Sequence, residues 1–263
     1  MKFPNVSIIG CGNLAYHLSK NLENIGVNIV NIYSRDIKKA RKLASKLYNA
    51  EAGDSLDFSL SLANIFFLCV SDDAIQEVSN KILLPQNAIL VHCSGSVSLG
   101  SIANSNSETG VFYPVQTFTV DRKITFIDTP VCIEASSLKS ENILESLAKE
   151  LKSKPFFMNS VQRMTLHLSA VFACNFGNHF FFISKLILKD HGLPFSLLHH
   201  LIAETVQKAI ECDPEKMQTG PAIRNDFKTM SLHEGLLCEN PEWQKLYKLI
   251  SIDIVRINEL NSR

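Results

Sequence analysis

The sequence predicts an α/β domain with a mostly parallel, doubly wound sheet, followed by an all-helical domain. Through the first part of the chain, short apolar runs alternate with helical patterns. The runs are continuously apolar, which is typical of strands that are covered on both faces. After Ser160 the strand patterns stop and only helical patterns remain. We therefore expect an α/β domain over residues 1–157 and a helical domain over residues 158–263.

The chain opens with a predicted βαβ unit. The apolar run Val6–Ile9 predicts the first strand, and it leads straight into the turn Gly10-Cys11-Gly12. Helical periodicity then extends over Leu14–Ile25 and stops at Gly26, after which Val27–Tyr33 predicts a second strand.

The remaining elements follow in the same way. Further strands are predicted at Ile65–Val70, Ala88–His92, Gly110–Phe112, Val131–Ala135 and Phe156–Asn159. Helices are predicted after Ser71-Asp72-Asp73 as far as about Lys81, and over Leu138–Lys152. In the second domain we expect helices at Val161–His191, Pro194–Cys212, Arg224–Leu237 and Glu242–Leu260.

The turn between the first strand and the first helix has the pattern of a dinucleotide site. In this Rossmann fingerprint, Gly10 allows the tight turn, Gly12 lets a pyrophosphate approach the backbone, and Ala15 keeps the helix close to the sheet. The backbone N–H groups of residues 12–15 are expected to face the phosphates, which assigns Asn13 and Leu14 to the cofactor site as well. A glycine turn without a ligand is the alternative.

The residues after the second strand favour NADP over NAD. NAD sites usually carry an acidic residue there, whereas this chain has Ser34-Arg35. Ser34 and Arg35 suit a 2′-phosphate, and nearby lysines and arginines add positive potential. The alternatives are that these cations form an ordinary solvated helix face with Asp36 as its N-cap, or that Asp36 binds a ribose hydroxyl.

Composition limits the classes of partner and compartment. The formal net charge is zero, which argues against a nucleic-acid binder. Seven scattered cysteines without a C-x-x-C pair predict free, buried thiols in a reducing compartment, and a strand within six residues of the start leaves no signal peptide, so we expect a cytoplasmic protein. The apolar segment Leu166–Leu188 contains histidines, asparagines and a lysine, which argues against a membrane span. No metal-ligand spacing is present, so no metal is expected.

Four segments carry a resemblance to a known family. They are Gly10–Ala15, Val91–Ser96, Tyr113–Phe118 and Thr219–Asp226. In these the chain resembles the Rossmann-like proteins with a DUF2520 C-terminal domain, which are described as NADP oxidoreductases. Their wider superfamily includes pyrroline-5-carboxylate reductase, the 3-hydroxyacid dehydrogenases and ketopantoate reductase. The resemblance covers both domains and implies an NADP-dependent oxidoreductase.

The resemblance also implies roles for the loops after the strands. Backbone at Val70 and Ser71 is expected beside the nicotinamide ribose, and Ser94 and Gly95 are expected to bind a substrate carboxylate. Gln116 is expected to bind cofactor or substrate. The alternatives are a helix cap at Ser71 and structural polar turns at the other two places. Relatives often have His-Pro where this chain has Tyr113-Pro114, which weakens a role for this position in proton transfer.

The long helix after residue 160 is expected to carry the catalytic group. Related dehydrogenases have Lys-x-x-x-Asn there, and Val171 stands at the lysine position. By helical spacing, His167, Asn175 and Asn178 share its face. His167 is the candidate proton donor, since histidine titrates near neutrality, and Asn175 and Asn178 would orient and bind substrate. A core histidine and asparagines bonded to neighbouring helices are the alternative.

These residues together predict hydride transfer between NADPH and a small C=O or C=N substrate. A nonenzymatic NADP(H) sensor or regulatory protein is the alternative. Deazaflavin-dependent NADP reduction is a third possibility, since that family shares the fingerprint, but the additional helical domain counts against it. Phe180–Ile183 cover more than one helix face, which predicts a homodimer through the helical domain.

Overall fold

The strands of the first part of the chain form a single sheet. The computed structural model of the protein describes residues 4–102 and 107–261. Its strands are β1 (Val6–Ile9), β2 (Ile29–Tyr33), β3 (Glu51–Gly53), β4 (Ile65–Leu68), β5 (Ile89–His92), β6 (Glu108–Pro114), β7 (Pro130–Ala135) and β8 (Lys154–Phe157). They lie in the order β3-β2-β1-β4-β5-β6-β7-β8. All neighbours pair in parallel except β6 and β7, which are antiparallel.

Helices connect the strands and make up the C-terminal part. They are α1 (Asn13–Asn24), α2 (Ile37–Ala44), α3 (Asp72–Lys81), α4 (Leu138–Glu150), α5 (Ser160–Ala170), α6 (Gly177–Asp190), α7 (His199–Glu211), α8 (Phe227–Leu236) and α9 (Pro241–Asn261). A π-helical segment, Val171–Phe176, joins α5 to α6. With the strand order 3-2-1-4-5-6 at its centre, the doubly wound, mostly parallel fold class is confirmed.

The sheet carries an apolar core on each face. Successive side chains of a strand point to opposite faces, so an apolar run is divided between the two cores. In β1, Val6 and Ile8 lie in one core and Ile9 in the other, and in β4 Phe67 and Phe66 are divided in the same way. The continuously apolar runs therefore arise because both faces of the sheet are covered.

The helical part begins where the sheet ends. Asn159 and Gln162 form a capping box at the start of α5, in which each side chain accepts a hydrogen bond from the other's backbone N–H. The chain divides into two compact units, Met1–His179 and Phe180–Arg263. The second unit contains α7, α8, α9 and most of α6. The domain boundary expected at residues 157 and 158 remains a prediction.

The third strand and the burial of the cysteines differ from the sequence-based expectation. Strand β3 leaves no pattern in the sequence, because the strand has only three residues and lies at the edge of the sheet. The expectation that the cysteine thiols are buried is wrong for three of the seven cysteines. Cys69, Cys93 and Cys132 are buried and Cys11 is half-buried, but Cys174, Cys212 and Cys238 are exposed.

The segment from Ser160 to Asp190 is unusually apolar for its exposure. By length and composition alone it is the one helix of the described residues that is able to cross a membrane. Only 6% of its most apolar window is buried. Phe172 and Phe176 are among its exposed apolar residues and pack against each other, with ring centroids 5.1 Å apart.

Candidate active site

The candidate site lies where the parallel strands end. Strands β1, β4, β5 and β6 run in the same direction, so the loops that follow them meet at one edge of the sheet. Open α/β sheets bind their ligands at this carboxyl edge. All the residues that we predicted in these loops, from Gly10 to Gln116, lie in the first compact unit.

The glycine turn after β1 has the geometry that the fingerprint requires. Gly10 has φ +124°, and a Cβ atom there would lie 2.2 Å from the carbonyl oxygen of Cys69. Gly12 instead faces open space, with nothing within 4 Å of an added Cβ. Among the described residues, no side chain caps the N-terminus of α1. The first turn of α1 therefore presents uncapped N–H groups beside open space, as an anion-binding helix end does.

A cleft of about 470 Å³ opens beside this turn. The residues that line it include six of the predicted cofactor residues: Gly10, Gly12, Ser34, Arg35, Val70 and Ser71. Lys39 and Lys81 also line the cleft, together with Glu77, which forms an ion pair with Lys81. Arg35 and Lys39 therefore bring positive charge to the cleft, whereas the charge of Lys81 is paired with Glu77.

Asp36 caps the helix that follows β2. Strand β2 ends at Tyr33, and the Asp36 carboxylate accepts a hydrogen bond from the Lys38 N–H at 3.0 Å as the N-cap of α2. The capping role that the sequence offered as an alternative is confirmed. The donors and cations around Ser34 fit a phosphorylated ribose better than a free 2′-hydroxyl group.

The loop after β4 is linked to the loop after β5. The Ser96 hydroxyl donates a hydrogen bond to the Asp72 carboxylate at 2.5 Å. Asp72 is the first residue of α3, and Ser71 is its N-cap residue but makes no side-chain cap bond. This bond joins the loop expected near the nicotinamide ribose to the loop expected near the substrate.

The loop after β5 uses its own hydroxyl to hold its shape. The Ser94 hydroxyl accepts hydrogen bonds from the backbone N–H groups of Ser96 and Val97, both at 3.1 Å. The Ser94 N–H donates to Nδ1 of His92. His92 is fully buried, and burial lowers its pKa to about 4. The substrate role of Ser94 remains a prediction, and its hydroxyl already serves this turn.

Gly95 brings the same loop against two aromatic rings. A Cβ atom on Gly95 would lie 2.8 Å from Cγ and Nδ1 of His167 and 2.8 Å from Cζ of Tyr113. Those two side chains meet there, because Tyr113 Oη and His167 Nδ1 are 3.1 Å apart. Their rings are edge-to-face, with centroids 5.9 Å apart. Glycine is needed at position 95 because of the space that the rings occupy.

A buried ion pair fixes α5 beneath this loop. Arg163 is 1% exposed and pairs with the Glu134 carboxylate. Its guanidinium also donates to the carbonyl of Val97. Ser160 donates to the same carboxylate at 2.8 Å. These bonds connect β7, the loop after β5 and the first turn of α5, so they set the position of the helix that carries His167.

The loop after β6 folds back over the start of α1. Gln116 is exposed, and its side chain accepts a hydrogen bond from the Thr117 N–H at 2.8 Å. Further along this loop, the Asn13 side chain donates to the carbonyl of Phe118 at 2.9 Å, and His17 contacts the carbonyl of Thr119 at 2.9 Å. Asn13 therefore holds this loop beside the glycine turn.

The other predicted residues of the long helix are exposed within the chain. Asn175 lies in the π-helical segment and Asn178 at the start of α6, and both are exposed, whereas His167 is half-buried. A π turn has i→i+5 hydrogen bonds and is frequent at functional sites. Nothing in a 3.6-residue periodicity predicts it. Among the described residues, no group of three or more His, Cys, Asp or Glu side chains is placed to hold a metal ion.

Sequence reasoning missed three residues of this site. It weakened a role for Tyr113 in proton transfer, and it did not single out Arg163 or Glu134. Tyr113 and His167 are 54 residues apart, and no sequence pattern links them. The one usable signal was Pro114, which restricts Tyr113 to an extended conformation at the end of β6.

Two family models match the chain. Residues 5–95 match the family described as NADP oxidoreductase, coenzyme F420-dependent. Residues 129–254 match the family described as a domain of unknown function, DUF2520. No curated protein matches the chain.

Solved structures match over the full length. A Bacteroides fragilis protein proposed to be an NADP oxidoreductase is 37% identical, with a TM-score of 0.89, over 97% of this chain and 98% of that one. A Thermotoga maritima protein is 26% identical, with a TM-score of 0.68, over 98% and 100%. A reductive aminase from Aspergillus terreus, crystallised with NADPH and ethyl-5-oxohexanoate, is 11% identical, with a TM-score of 0.67, over 100% and 94%. At that identity the aminase shows a shared fold only.

Proposed function

Because the chain belongs to the Rossmann-like family of NADP oxidoreductases with a DUF2520 domain, we propose that it transfers a hydride between NADPH and a small C=O or C=N substrate. The proposal rests on the residues that lie together at the carboxyl edge of the sheet. There, an uncapped helix start and a cationic cleft share one edge with a histidine held by a tyrosine.

The cofactor residues are assigned by their chemistry. The N–H groups from Gly12 through Asn13 and Leu14 would hold the pyrophosphate, where Gly10 and Gly12 leave room for it. Ser34 and Arg35 would hold the 2′-phosphate, with Lys39 adding positive charge. Val70 and Ser71 would line the path towards the nicotinamide. When bound, NADPH supplies the hydride for an electrophilic carbon.

The substrate residues follow from the neighbouring loops. Gly95 would face the substrate beside the two rings, with Ser94 holding the loop and Gln116 in the next loop. Asn175 and Asn178 would orient and bind the substrate from the long helix. His167 would give a proton to the oxygen or nitrogen of the C=O or C=N bond. The π electrons of that bond become the lone pair that accepts this proton. In the opposite direction His167 would remove that proton.

The test of this function is His167→Gln. With NADPH and a panel of imines, ketoacids and aldehydes, the variant should lose about 10²-fold or more in turnover while NADPH affinity stays nearly unchanged. Full turnover in the variant would remove His167 from the mechanism. NADPH binding without turnover of any substrate by the wild type would instead favour an NADP(H) sensor.

We also propose that a second copy of the chain covers the exposed part of the long helix. The stretch from Met164 to Ser184 contains no Lys, Arg, Asp or Glu. It therefore carries no charged side chain that would attract a partner of opposite charge. The same apolar face on another copy would match it. His167, Asn175 and Asn178 within it argue for a protein partner over lipid. A cytoplasmic homodimer that binds neither membrane nor nucleic acid, with its helical domain starting at residue 158, is the assembly that we propose.

A further inference from the structure

The strongest unassigned feature is the contact between Tyr113 and His167. Tyr113 comes from β6 and His167 from α5, and their polar atoms Oη and Nδ1 are 3.1 Å apart. Neutral imidazole has one N–H donor and one acceptor nitrogen, and the group bonded to one nitrogen decides which of them holds the proton. The partner of Nδ1 therefore decides what Nε2 is able to do.

Gly95 shows how closely this contact is built. A Cβ at this position would lie 2.8 Å from Cγ and Nδ1 of His167 and 2.8 Å from Cζ of Tyr113, so the loop backbone packs against the Nδ1 side of the imidazole. Tyr113 and the loop together occupy that side. Nε2 lies across the ring from Cγ and is the nitrogen left for exchange with another molecule.

We propose that Tyr113 is a positioning residue that holds Nδ1 of His167 and so makes Nε2 the nitrogen that exchanges the proton with substrate. This inference rests on the proposed function. In the imidazolium form, Nδ1–H donates to Tyr113 Oη, and Nε2–H transfers its proton to the substrate heteroatom. The product is neutral imidazole with its proton on Nδ1, so the bond to Oη is kept. A lone pair of the heteroatom forms the new bond to the proton, and the bonding pair of Nε2–H stays on Nε2.

The surroundings keep Tyr113 in the hydroxyl form that this role requires. Burial raises the pKa of Tyr113, and the nearby Cys132 and Asp72 act in the same direction. Arg163 lowers it and Cys174 raises it, both more weakly. These groups lie on β7, α3, α5 and the π-helical segment. Tyr113 therefore remains an uncharged hydroxyl, whose oxygen is able to accept a hydrogen bond from Nδ1–H.

The test is Tyr113→Phe, which keeps the ring and removes only the hydroxyl. We would record ¹⁵N NMR spectra of the full-length protein with labelled histidine, without cofactor, and assign His167 by its absence in His167→Gln. In the wild type with neutral His167, Nδ1 should hold the proton. In Tyr113→Phe, the proton should be shared between Nδ1 and Nε2. Tyr48→Phe removes an exposed hydroxyl elsewhere and should leave the spectrum unchanged.

A kinetic readout follows from the same variant. In Tyr113→Phe, turnover should fall about tenfold or more, with a shifted pH profile and unchanged NADPH affinity. Gly95→Ala, which would push the two rings apart, should move the tautomer in the same direction. Identical tautomer populations in wild type and Tyr113→Phe would overturn the inference. It would also be overturned if neutral His167 of the wild type held its proton on Nε2. The proposed function fails separately, if His167→Gln keeps full turnover.

Discussion

At the scale of single residues, His92 shows how burial in the sheet controls protonation. It lies at the end of β5, fully buried, and its Nδ1 already accepts the Ser94 N–H. Burial, with a smaller effect of the Arg163 charge, lowers its pKa to about 4. His92 is therefore neutral at physiological pH and serves the loop as a hydrogen-bond acceptor.

This shift predicts a dependence of stability on pH. In the unfolded chain a histidine titrates near pH ~6.5, so between that value and the folded pKa the unfolded state binds more protons. The contribution of neutral His92 to the free energy of unfolding is complete above about pH 6.5 and is lost as the pH falls towards 4. Its size is about 3 kcal/mol in the free energy of unfolding.

Urea unfolding of wild type and His92→Gln between pH 4 and 7 would measure this contribution. Glutamine keeps a hydrogen-bond acceptor but does not titrate, so other ionisable groups cancel in the comparison. The wild type should lose stability relative to the variant as the pH falls. Parallel curves for the two proteins would exclude His92 as the source.

At the scale of elements, the turn from β1 to α1 contains two glycines with different requirements. Gly10 has φ +124° and no room for a Cβ, whereas Gly12 has φ −76° and open space around it. Gly10→Ala should cost about 2 kcal/mol or more in the free energy of unfolding. Gly12→Ala should change stability little but weaken NADPH binding, because its methyl group enters the space for the pyrophosphate. Urea midpoints and NADPH titrations of both variants test this pair.

The two substitutions serve as controls for each other. If Gly10→Ala were as stable as Gly12→Ala, the close approach of Gly10 to Cys69 would not constrain the turn. If Gly12→Ala bound NADPH as tightly as the wild type, the phosphates would lie elsewhere.

The elements also show what the sequence was able to predict. Strand β1 and the glycine turn were predictable because apolar periodicity and glycine spacing are local properties. The N-cap role of Asp36 was open to prediction for the same reason. The approach of Gly95 to His167 and Tyr113 was not, since it depends on three separate elements. The π-helical segment was missed because periodicity analysis assumes 3.6 residues per turn.

At the scale of the whole molecule, the exposed long helix predicts association. Phe172 is 64% exposed in a stretch without charged side chains. Light scattering at micromolar concentration should give twice the chain mass of 29.4 kDa. Phe172→Glu should lower this mass to that of one chain, because burying a carboxylate in an apolar interface is costly.

Leu60→Glu is the matched control for this prediction. Leu60 is 95% exposed and lies between β3 and β4, outside the long helix, so its variant should keep the wild-type mass. A wild type with the mass of a single chain would contradict the homodimer.

The central claim, that the carboxyl edge is an NADP site, is tested most directly by nucleotide binding. We would titrate wild type, Arg35→Asp and Lys38→Asp with NADPH and NADH, following nicotinamide fluorescence. Lys38 is the control, because it neighbours the cleft in sequence and is exposed on α2 but does not line the cleft. The account predicts that the wild type prefers NADPH, that Arg35→Asp weakens NADPH binding about tenfold or more, and that Lys38→Asp changes it little. Binding of neither nucleotide, or NADPH binding that is indifferent to Arg35→Asp, would contradict it.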